Sequence, residues 1–240
     1  MLKIDSLNVK VDEKTVINNL NFDFELGKNY AILGKNGTGK SSLFFTIMGH
    51  PFYKVNSGTI YLDGENLLQM TPDQRSSKGI FLAFQNVPEI PGIKLFEFLK
   101  MIYNSQFDKS KQLSFMKFKK LIEPIINELG ISKDFLFRDL NVGFSGGEKR
   151  KLELLQIKLL KPKYILLDEI DSGLDVNSLH KLGDTIKSIC SSQTSFIIIS
   201  HYFDIYNYID IDKTLIIQDG NISQTGGKDL IQNIKNNGFK

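Results

Sequence analysis

The chain has 240 residues, of which 41% are apolar and 24% charged; 30 Lys and Arg against 27 Asp and Glu leave a net charge of +3. This composition excludes collagen-like, low-complexity and disordered classes and allows one large domain or two small ones. The small net charge and scattered Lys give no reason to expect a nucleic-acid partner.

A lone cysteine, Cys190, excludes an internal disulfide framework and a metal–sulfur cluster held by this chain alone. Met1 leads straight into Leu2-Lys3-Ile4, which reads as a first strand with no targeting segment before it. Leu20, Phe22, Phe24 and Leu26 alternate with polar residues, the period of a half-buried strand. After the turn Gly27-Lys28, residues 30–33 form a short apolar strand. Residues 40–48 read as a helix, with Gly49 placed to end it.

Residues 59–62 read as a strand followed by the hairpin turn Asp63-Gly64. Thr71-Pro72 resembles a helix start, and residues 80–84 form another buried strand. From about 94 to 160 the spacing turns helical: Leu95, Phe98, Leu99 and Ile102, then Phe118, Leu121, Ile122 and Ile125. Beyond 163, strands at 164–167, 195–199 and 215–217 alternate with a helix near 177–189. Such alternation predicts an α/β fold with a mostly parallel sheet, interrupted by a mostly helical insertion. No apolar run approaches the roughly 20 residues that span a bilayer, so no direct membrane insertion is expected.

Gly34-Lys35-Asn36-Gly37-Thr38-Gly39-Lys40-Ser41 fits G-x-x-x-x-G-K-[ST], and it sits between a strand and a helix. The glycines let successive N–H groups point at phosphate oxygens, and the helix N-terminus adds partial positive charge. Lys40 is placed to reach the β- and γ-phosphates, and Ser41 to coordinate Mg²⁺. The apolar strand at 164–167 ends in Asp168 and Glu169, at the sheet edge where ligands of such folds bind. Asp168 is a candidate Mg²⁺ holder opposite Ser41, and Glu169 a candidate for polarising the attacking water. A pair of acids ending a strand in solvent is the plain alternative for those two.

Phe144-Ser145-Gly146-Gly147-Glu148-Lys149-Arg150 precedes a helical stretch. It is either an ordinary helix cap or a second anion site. One nucleotide does not need two separated phosphate cradles from one chain, so the second cradle is expected to serve a nucleotide held by another copy. His201 follows the strand at 195–199 and is a candidate contact to the γ-phosphate and the water. Gln85 ends the strand at 80–84 and is a candidate to reach Mg²⁺ or water. His50 and His180 read as structural.

The order of residues 34–41, Gln85, 145–148, 164–169, 172–175 and His201 resembles the ATP-binding-cassette family: Walker A, Q-loop, signature, Walker B, D-loop and H-loop. The resemblance covers essentially the whole chain. It implies a single cassette over 1–240, an ABC-type P-loop ATPase fold with a mostly parallel sheet core, an N-terminal antiparallel β subdomain and a helical subdomain. The core and β subdomain would take 1–93 and 161–240, and the helical subdomain with the signature 94–160. It further implies ATP and Mg²⁺ as ligands, with phosphate contacts from Gly34, Lys35, Asn36, Gly37, Thr38, Gly39, Lys40, Ser41 and Ser42. Ser41, Gln85 and Asp168 would attend the metal. Two cassettes would close head to tail, so that Ser145, Gly146, Gly147 and Glu148 of one copy, with D-loop Asp175, complete the site of the other.

A narrower resemblance is to the Suf-type cassette ATPases of iron–sulfur cluster assembly. It is carried by Ala83-Phe84-Gln85, Glu89-Ile90-Pro91-Gly92, the 141–149 stretch with Phe-Ser-Gly-Gly-Glu, Ile170-Asp171-Ser172-Gly173-Leu174-Asp175, and Ser200-His201-Tyr202. It implies a SufB/SufD-like scaffold as partner, which must supply the cluster ligands, and residence in the cytoplasm or the stroma of a plastid-type organelle. Val9 and Val11 stand where many cassettes carry an adenine-stacking aromatic. The nucleotide-binding subunit of an ABC membrane transporter is the alternative reading, and a module that binds nucleotide without turnover is a third.

Overall fold

The computed structural model describes residues 1–171 and 176–239. These fall into two compact units, residues 1–84 with 162–240 and residues 85–161.

The first unit opens with β1 (Leu2–Val11) and β2 (Lys14–Phe24), paired antiparallel, so the alternating pattern belongs to a hairpin longer than residues 20–26 alone suggested. β3 (Tyr30–Leu33) and α1 (Lys40–Met48) follow as expected, and Gly49 ends α1 in the left-handed region at φ 79°. β4 (Lys54–Leu62) lies antiparallel on the other side of β1. It turns at Asp63-Gly64, both with positive φ, into β5 (Glu65–Asn66). Consecutive positive φ values make the tight hairpin that Asp-Gly favours. The result is a four-stranded antiparallel sheet, β2-β1-β4-β5.

α2 (Pro72–Ser77) starts where Thr71-Pro72 predicted, with the Thr71 N–H donating to Gln74 Oε1 at 2.9 Å. Its Arg75 is buried and donates to the Thr46 and Ile47 carbonyls at 2.8 and 2.9 Å. It thus caps the C-terminal end of α1, where a cation complements the helix dipole. β6 (Ile80–Ala83) stops one residue short of the expected Phe84.

In the second unit, β7 (Ile90–Lys94) leads into α3 (Leu95–Asn104), and α4 (Phe115–Glu128) and β8 (Asp139–Leu140) follow, with β8 pairing antiparallel to β7. α5 (Gly146–Leu160) closes the unit. Its core joins Leu95, Phe96 and Leu99 to Phe118, Ile122 and Ile126. Leu121, expected on the buried face of α4, is exposed. The inward stripe of α4 follows strict i, i+4 steps, which pass Leu121 by and take in Ile126.

The chain then returns to the first unit through β9 (Tyr164–Asp168), α6 (Val176–Ile189), β10 (Ser195–Ile199), β11 (Lys213–Gln218), β12 (Asn221–Gly226) and α7 (Lys228–Asn237). The second sheet has the order β12-β11-β3-β10-β9-β6, and every neighbour is parallel except the β11–β12 pair. β3, β6, β9 and β10 are buried at every position, which is why they read as unbroken apolar runs rather than alternating ones. Leu43, Phe44 and Ile47 of α1 lie at 0% exposure in the core beneath this sheet. At about 1.5–3 kcal/mol per fully buried side chain, they anchor the helix that follows the glycine loop. Tyr164 ties the two sheets together: its hydroxyl accepts from the Leu2 N–H and donates to the Phe24 carbonyl, each at 3.0 Å.

Candidate functional site

β3 lies between β10 and β11, two strands that come much later in the chain. Its C-terminal end therefore meets the ends of β10 and, one strand further, β9. Ile199 pairs with Ile32 on one side and with Asp168 on the other. The loop at 34–39, the acids after β9 and the residues after β10 thus share one edge of the sheet, the edge at which α/β folds take ligands.

The glycine loop is shaped by its own chain. Gly34 is at φ 156° and Gly39 at φ 105°. A Cβ on Gly34 would collide with the Ile217 carbonyl, and one on Gly39 would lie 2.5 Å from the Val16 carbonyl. A turn at Asp219-Gly220 braces the loop from outside, since the Gly220 N–H donates to the Thr38 carbonyl at 3.0 Å and the Asn18 N–H to the Gly220 carbonyl at 2.9 Å. Gly220 was not among the residues singled out from sequence. Its signal was Asp-Gly between two short β patterns.

Lys40 is 5% exposed, and its ammonium donates to the Gly34 and Lys35 carbonyls at 2.9 and 3.0 Å. Burial lowers its pKa, opposed by the charges of Glu169 and Asp168. Thr38 Oγ1 donates to the Lys35 carbonyl at 2.9 Å, while Lys35, Asn36 and Gly37 are exposed at the loop's crown. Ser42 gives its carbonyl to Thr46 Oγ1 at 2.7 Å.

Ser41 Oγ donates to Asp168 Oδ1 at 3.0 Å. Asp168 is 2% exposed, and burial raises its pKa to about 6, the Ser41 hydrogen bond pulling the other way. Glu169 is a left-handed non-glycine residue at φ 51°, a conformation that costs of order 1–2 kcal/mol. Its N–H donates to the Ile199 carbonyl at 2.9 Å, and its Oε1 lies 3.0 Å from His201 Nε2. The strained backbone turns the carboxylate from the direction of the strand toward His201. Beneath them, Ser200 Oγ donates to buried Asp171 and accepts from the Tyr202 N–H at 2.8 Å. This support was not anticipated, because a Ser before a His carries no pattern of its own.

The structure therefore brings Lys40, Ser41, Asp168, Glu169 and His201 to one edge. Gln85 opens the second unit, exposed, with its carbonyl accepting from Arg150 Nη2 at 3.0 Å. Ser145 to Glu148 also belong to that unit. Ser145 is the N-cap of α5: its Oγ accepts from the Glu148 N–H at 3.3 Å and its own N–H donates to Glu148 Oε2 at 2.8 Å, a reciprocal capping box. Among the described residues, a Cβ on Gly146 or Gly147 would meet nothing within 4 Å. Asp175 and the rest of 172–175 lie outside the described residues. Val9 is buried in the antiparallel sheet's core and does not present itself to a base.

The profile of the family described as "ABC transporter" matches residues 17–172. The chain belongs to that family. A probable ATP-dependent transporter named ycf16 from Antithamnion sp. is 40% identical over 241 residues, covering 100% of this chain and 96% of its own. A probable ATP-dependent transporter named SufC from Escherichia coli (strain K12) is 38% identical over 241 residues, covering 100% and 97%. In fold, the chain resembles a dimeric ATP-binding cassette in a post-hydrolysis state bound to ADP and Pi, with a TM-score of 0.80 at 18% identity over 95% of this chain and 99% of the other. The chain is an ATPase of the ATP-binding-cassette kind, and its ligand is ATP. Among the described residues, no helix is long and apolar enough to cross a membrane.

Proposed function

We propose that the protein is the ATPase of an iron–sulfur cluster assembly machine, closing as a head-to-tail pair around ATP and driving conformational change in a SufB/SufD-like scaffold. The likeness to a full-length relative named SufC supports the assignment. One feature fits a scaffold that brings the cluster ligands itself: Cys190, the chain's one cysteine, is a half-buried thiol whose pKa burial raises. The cytoplasm or a plastid stroma is the compartment that goes with this reading.

The observation that carries the two-copy part is the contrast between glycines. Gly34 and Gly39 are needed by the chain's own fold, whereas among the described residues nothing lies within 4 Å of a Cβ added at Gly146 or Gly147. Glycine placed where no intrachain contact demands it suits a backbone approached by something from outside. In this reading Ser145, Gly146 and Gly147, with Glu148 fixing the cap, face the phosphates held by a second copy, and Asp175 of the D-loop accompanies them.

In the first unit, the backbone of residues 34–39 and the N-terminus of α1 hold the phosphates, and Lys40 exchanges its two carbonyl partners for phosphate oxygens. Ser41 and Asp168 fit Mg²⁺, a hard cation that takes oxygen donors. A carboxylate whose ionisation burial disfavours gains from a nearby positive charge. When bound, the ion supplies charge neutralisation on the phosphates. Glu169 accepts a proton from the attacking water, and His201 keeps that carboxylate oriented through Nε2. Gln85 belongs to the second unit, and its part at the ion or the water is what the family resemblance implies.

The test is Glu169→Gln. Phosphate release should fall by roughly 10²–10⁴-fold, ATP binding should persist, and the ATP-bound pair should accumulate on a sizing column. Undiminished phosphate release would remove Glu169 from the mechanism. The names of the relatives favour a second reading, a transporter's nucleotide-binding subunit. Mass spectrometry of chains co-purifying from native extract separates the two, through a scaffold or integral membrane subunits.

A further inference from the structure

Six lysines fall within residues 100–120, at 100, 109, 111, 117, 119 and 120, against one acid, Asp108. They read as part of a scattered basic background, yet the fold gathers their segments at one corner of the second unit. Asn104 at the end of α3 clasps the strand-like stretch before α4. Its side chain donates to the Leu113 carbonyl at 3.1 Å and accepts from the Leu113 N–H at 2.8 Å. Phe96 of α3 packs on Phe115 and Phe118 with ring centroids 4.6 and 5.3 Å apart, and Tyr103 packs on Phe107 and Phe118.

Around this clasp, Met101, Phe115 and Met116 are 58%, 51% and 62% exposed, and Phe107 is exposed as well. Large apolar side chains this open, clustered on one corner, mark an interaction surface. Among the described residues none of the six lysines makes an ion pair. By contrast Lys94, Lys133, Lys149 and Lys158 of the same unit each do. Lys117 lies in the first turn of α4, with Lys119 and Lys120 just after it, and that turn holds no acid. Cations at the positive end of a helix dipole are unfavourable for the helix itself, so this arrangement is not explained by the stability of α4.

We propose that this corner docks on an anionic lipid surface, with Phe115 and Met116 at the helix tip, flanked by Met101 and Phe107, entering the headgroup–acyl boundary while the lysines lie among the headgroups. Apart from the field of Lys119 on Glu123, these lysines are not offset by an ion pair among the described residues, and an anionic leaflet supplies the complement, at about fivefold in affinity for each lysine near the surface. Long lysine stems lie along apolar surface while the ammonium stays in water, which suits exposed lysines carried on the same segments as protruding Phe and Met. The contact is peripheral. It needs no spanning segment, and it does not depend on which machine the ATPase serves.

The experiment uses the full chain, with vesicles of equimolar phosphatidylglycerol and phosphatidylcholine against vesicles of phosphatidylcholine alone. The chain has no Trp, so Met116→Trp gives a single reporter at the tip and Phe52→Trp one at an exposed position in the other unit. Co-sedimentation with the anionic vesicles only, a blue shift of the residue-116 reporter and none at 52, are expected. Lys117→Glu/Lys119→Glu/Lys120→Glu and Phe115→Ser/Met116→Ser should each lower the partition coefficient by about tenfold or more, with basal ATPase activity unchanged. Equal binding to both vesicles, no binding, or binding that the Phe115/Met116 variant retains would overturn it. The last outcome would mark a generic polyanion site, such as one for RNA or an acidic protein.

Discussion

The two glycine-bearing helix starts of this protein use the same residue for different reasons. At the start of α1, Gly34 and Gly39 hold left-handed or otherwise restricted backbone, and neighbouring carbonyls from β11 and β2 occupy the space a side chain would need. At the start of α5, Gly146 and Gly147 have neither constraint, and the helix is organised by the Ser145–Glu148 capping box. The first site is made by the chain for itself. The second is complete as a helix start without its glycines, and among the described residues nothing fills the space beside them.

Substitution tests this difference most strongly at Gly39 and Gly147. In Gly39→Ala, a Cβ 2.5 Å from the Val16 carbonyl, on a residue at φ 105°, should cost about 3 kcal/mol or more of folding stability. Urea unfolding of the nucleotide-free protein measures it, and a midpoint equal to wild type would refute the claim that the chain dictates this glycine. Gly147→Ala should do the reverse. A helical glycine replaced by alanine leaves stability unchanged or raises it by about 0.5–1 kcal/mol, while ATP turnover drops on the order of 10²-fold. ATP affinity of the single chain, measured by calorimetry, should not move. Should turnover survive, the signature turn is merely a cap and the two-copy reading loses its support.

A second contrast lies inside the first site, between Asp168 and the stability of the fold around it. Burial raises its pKa from 3.8 to about 6, so the native state prefers the protonated acid. The fold gains from this group below pH 4, and loses that gain as pH rises through about 6, when the carboxyl must ionise while buried. At pH 8 the penalty is about 3 kcal/mol. Asp168→Asn keeps an oxygen for the Ser41 hydroxyl and never ionises. It should therefore be more stable than wild type at pH 8 by about 2–3 kcal/mol, with the difference vanishing near pH 3.5, while turnover is lost. Equal unfolding midpoints at pH 8 would show that Asp168 is not penalised. No comparable tension exists at the signature turn, where Glu148 is held below the usual carboxylate range by the Ser145 N–H and hydroxyl.

Much of the first site was legible because its chemistry and its fold coincide in short stretches. The loop at 34–41 carries its glycines, Lys40 and Ser41 in one octet. The buried strands β9 and β10 end at Asp168 and just before His201, as their apolar runs predicted. What was not legible depends on residues far apart in sequence. Arg75 caps α1 from a helix whose own pattern says nothing of it. Gly220 braces the loop from a turn some 180 residues later. Glu169 reads as an acid but not as a strained one, since φ is set by the packing of β9 against β10. In the second unit, the helical period was visible, but the exact face of α4 was not. Leu121 and Ile126 differ in which side the core lies on, and that is decided by α3 and α5. The β7–β8 pair is too short, and too broken in register, to leave a pattern.

The smallest expected effect separates the two roles that meet in Ser145. As an N-cap, its hydroxyl satisfies the Glu148 N–H at 3.3 Å, and Ser145→Ala should lower stability by about 1 kcal/mol. Asn caps a helix about as well as Ser, so Ser145→Asn should change stability by only a few tenths of a kcal/mol. The longer amide nevertheless fills space beside Gly146 and Gly147 that no described residue occupies. If capping were the residue's whole purpose, Ser145→Asn would hydrolyse ATP like wild type. If the turn faces a second copy's phosphates, Ser145→Asn should match wild type in thermal unfolding and fall well below it in turnover. A variant that is stable, binds ATP and fails to close would place the function of Ser145 outside its own helix.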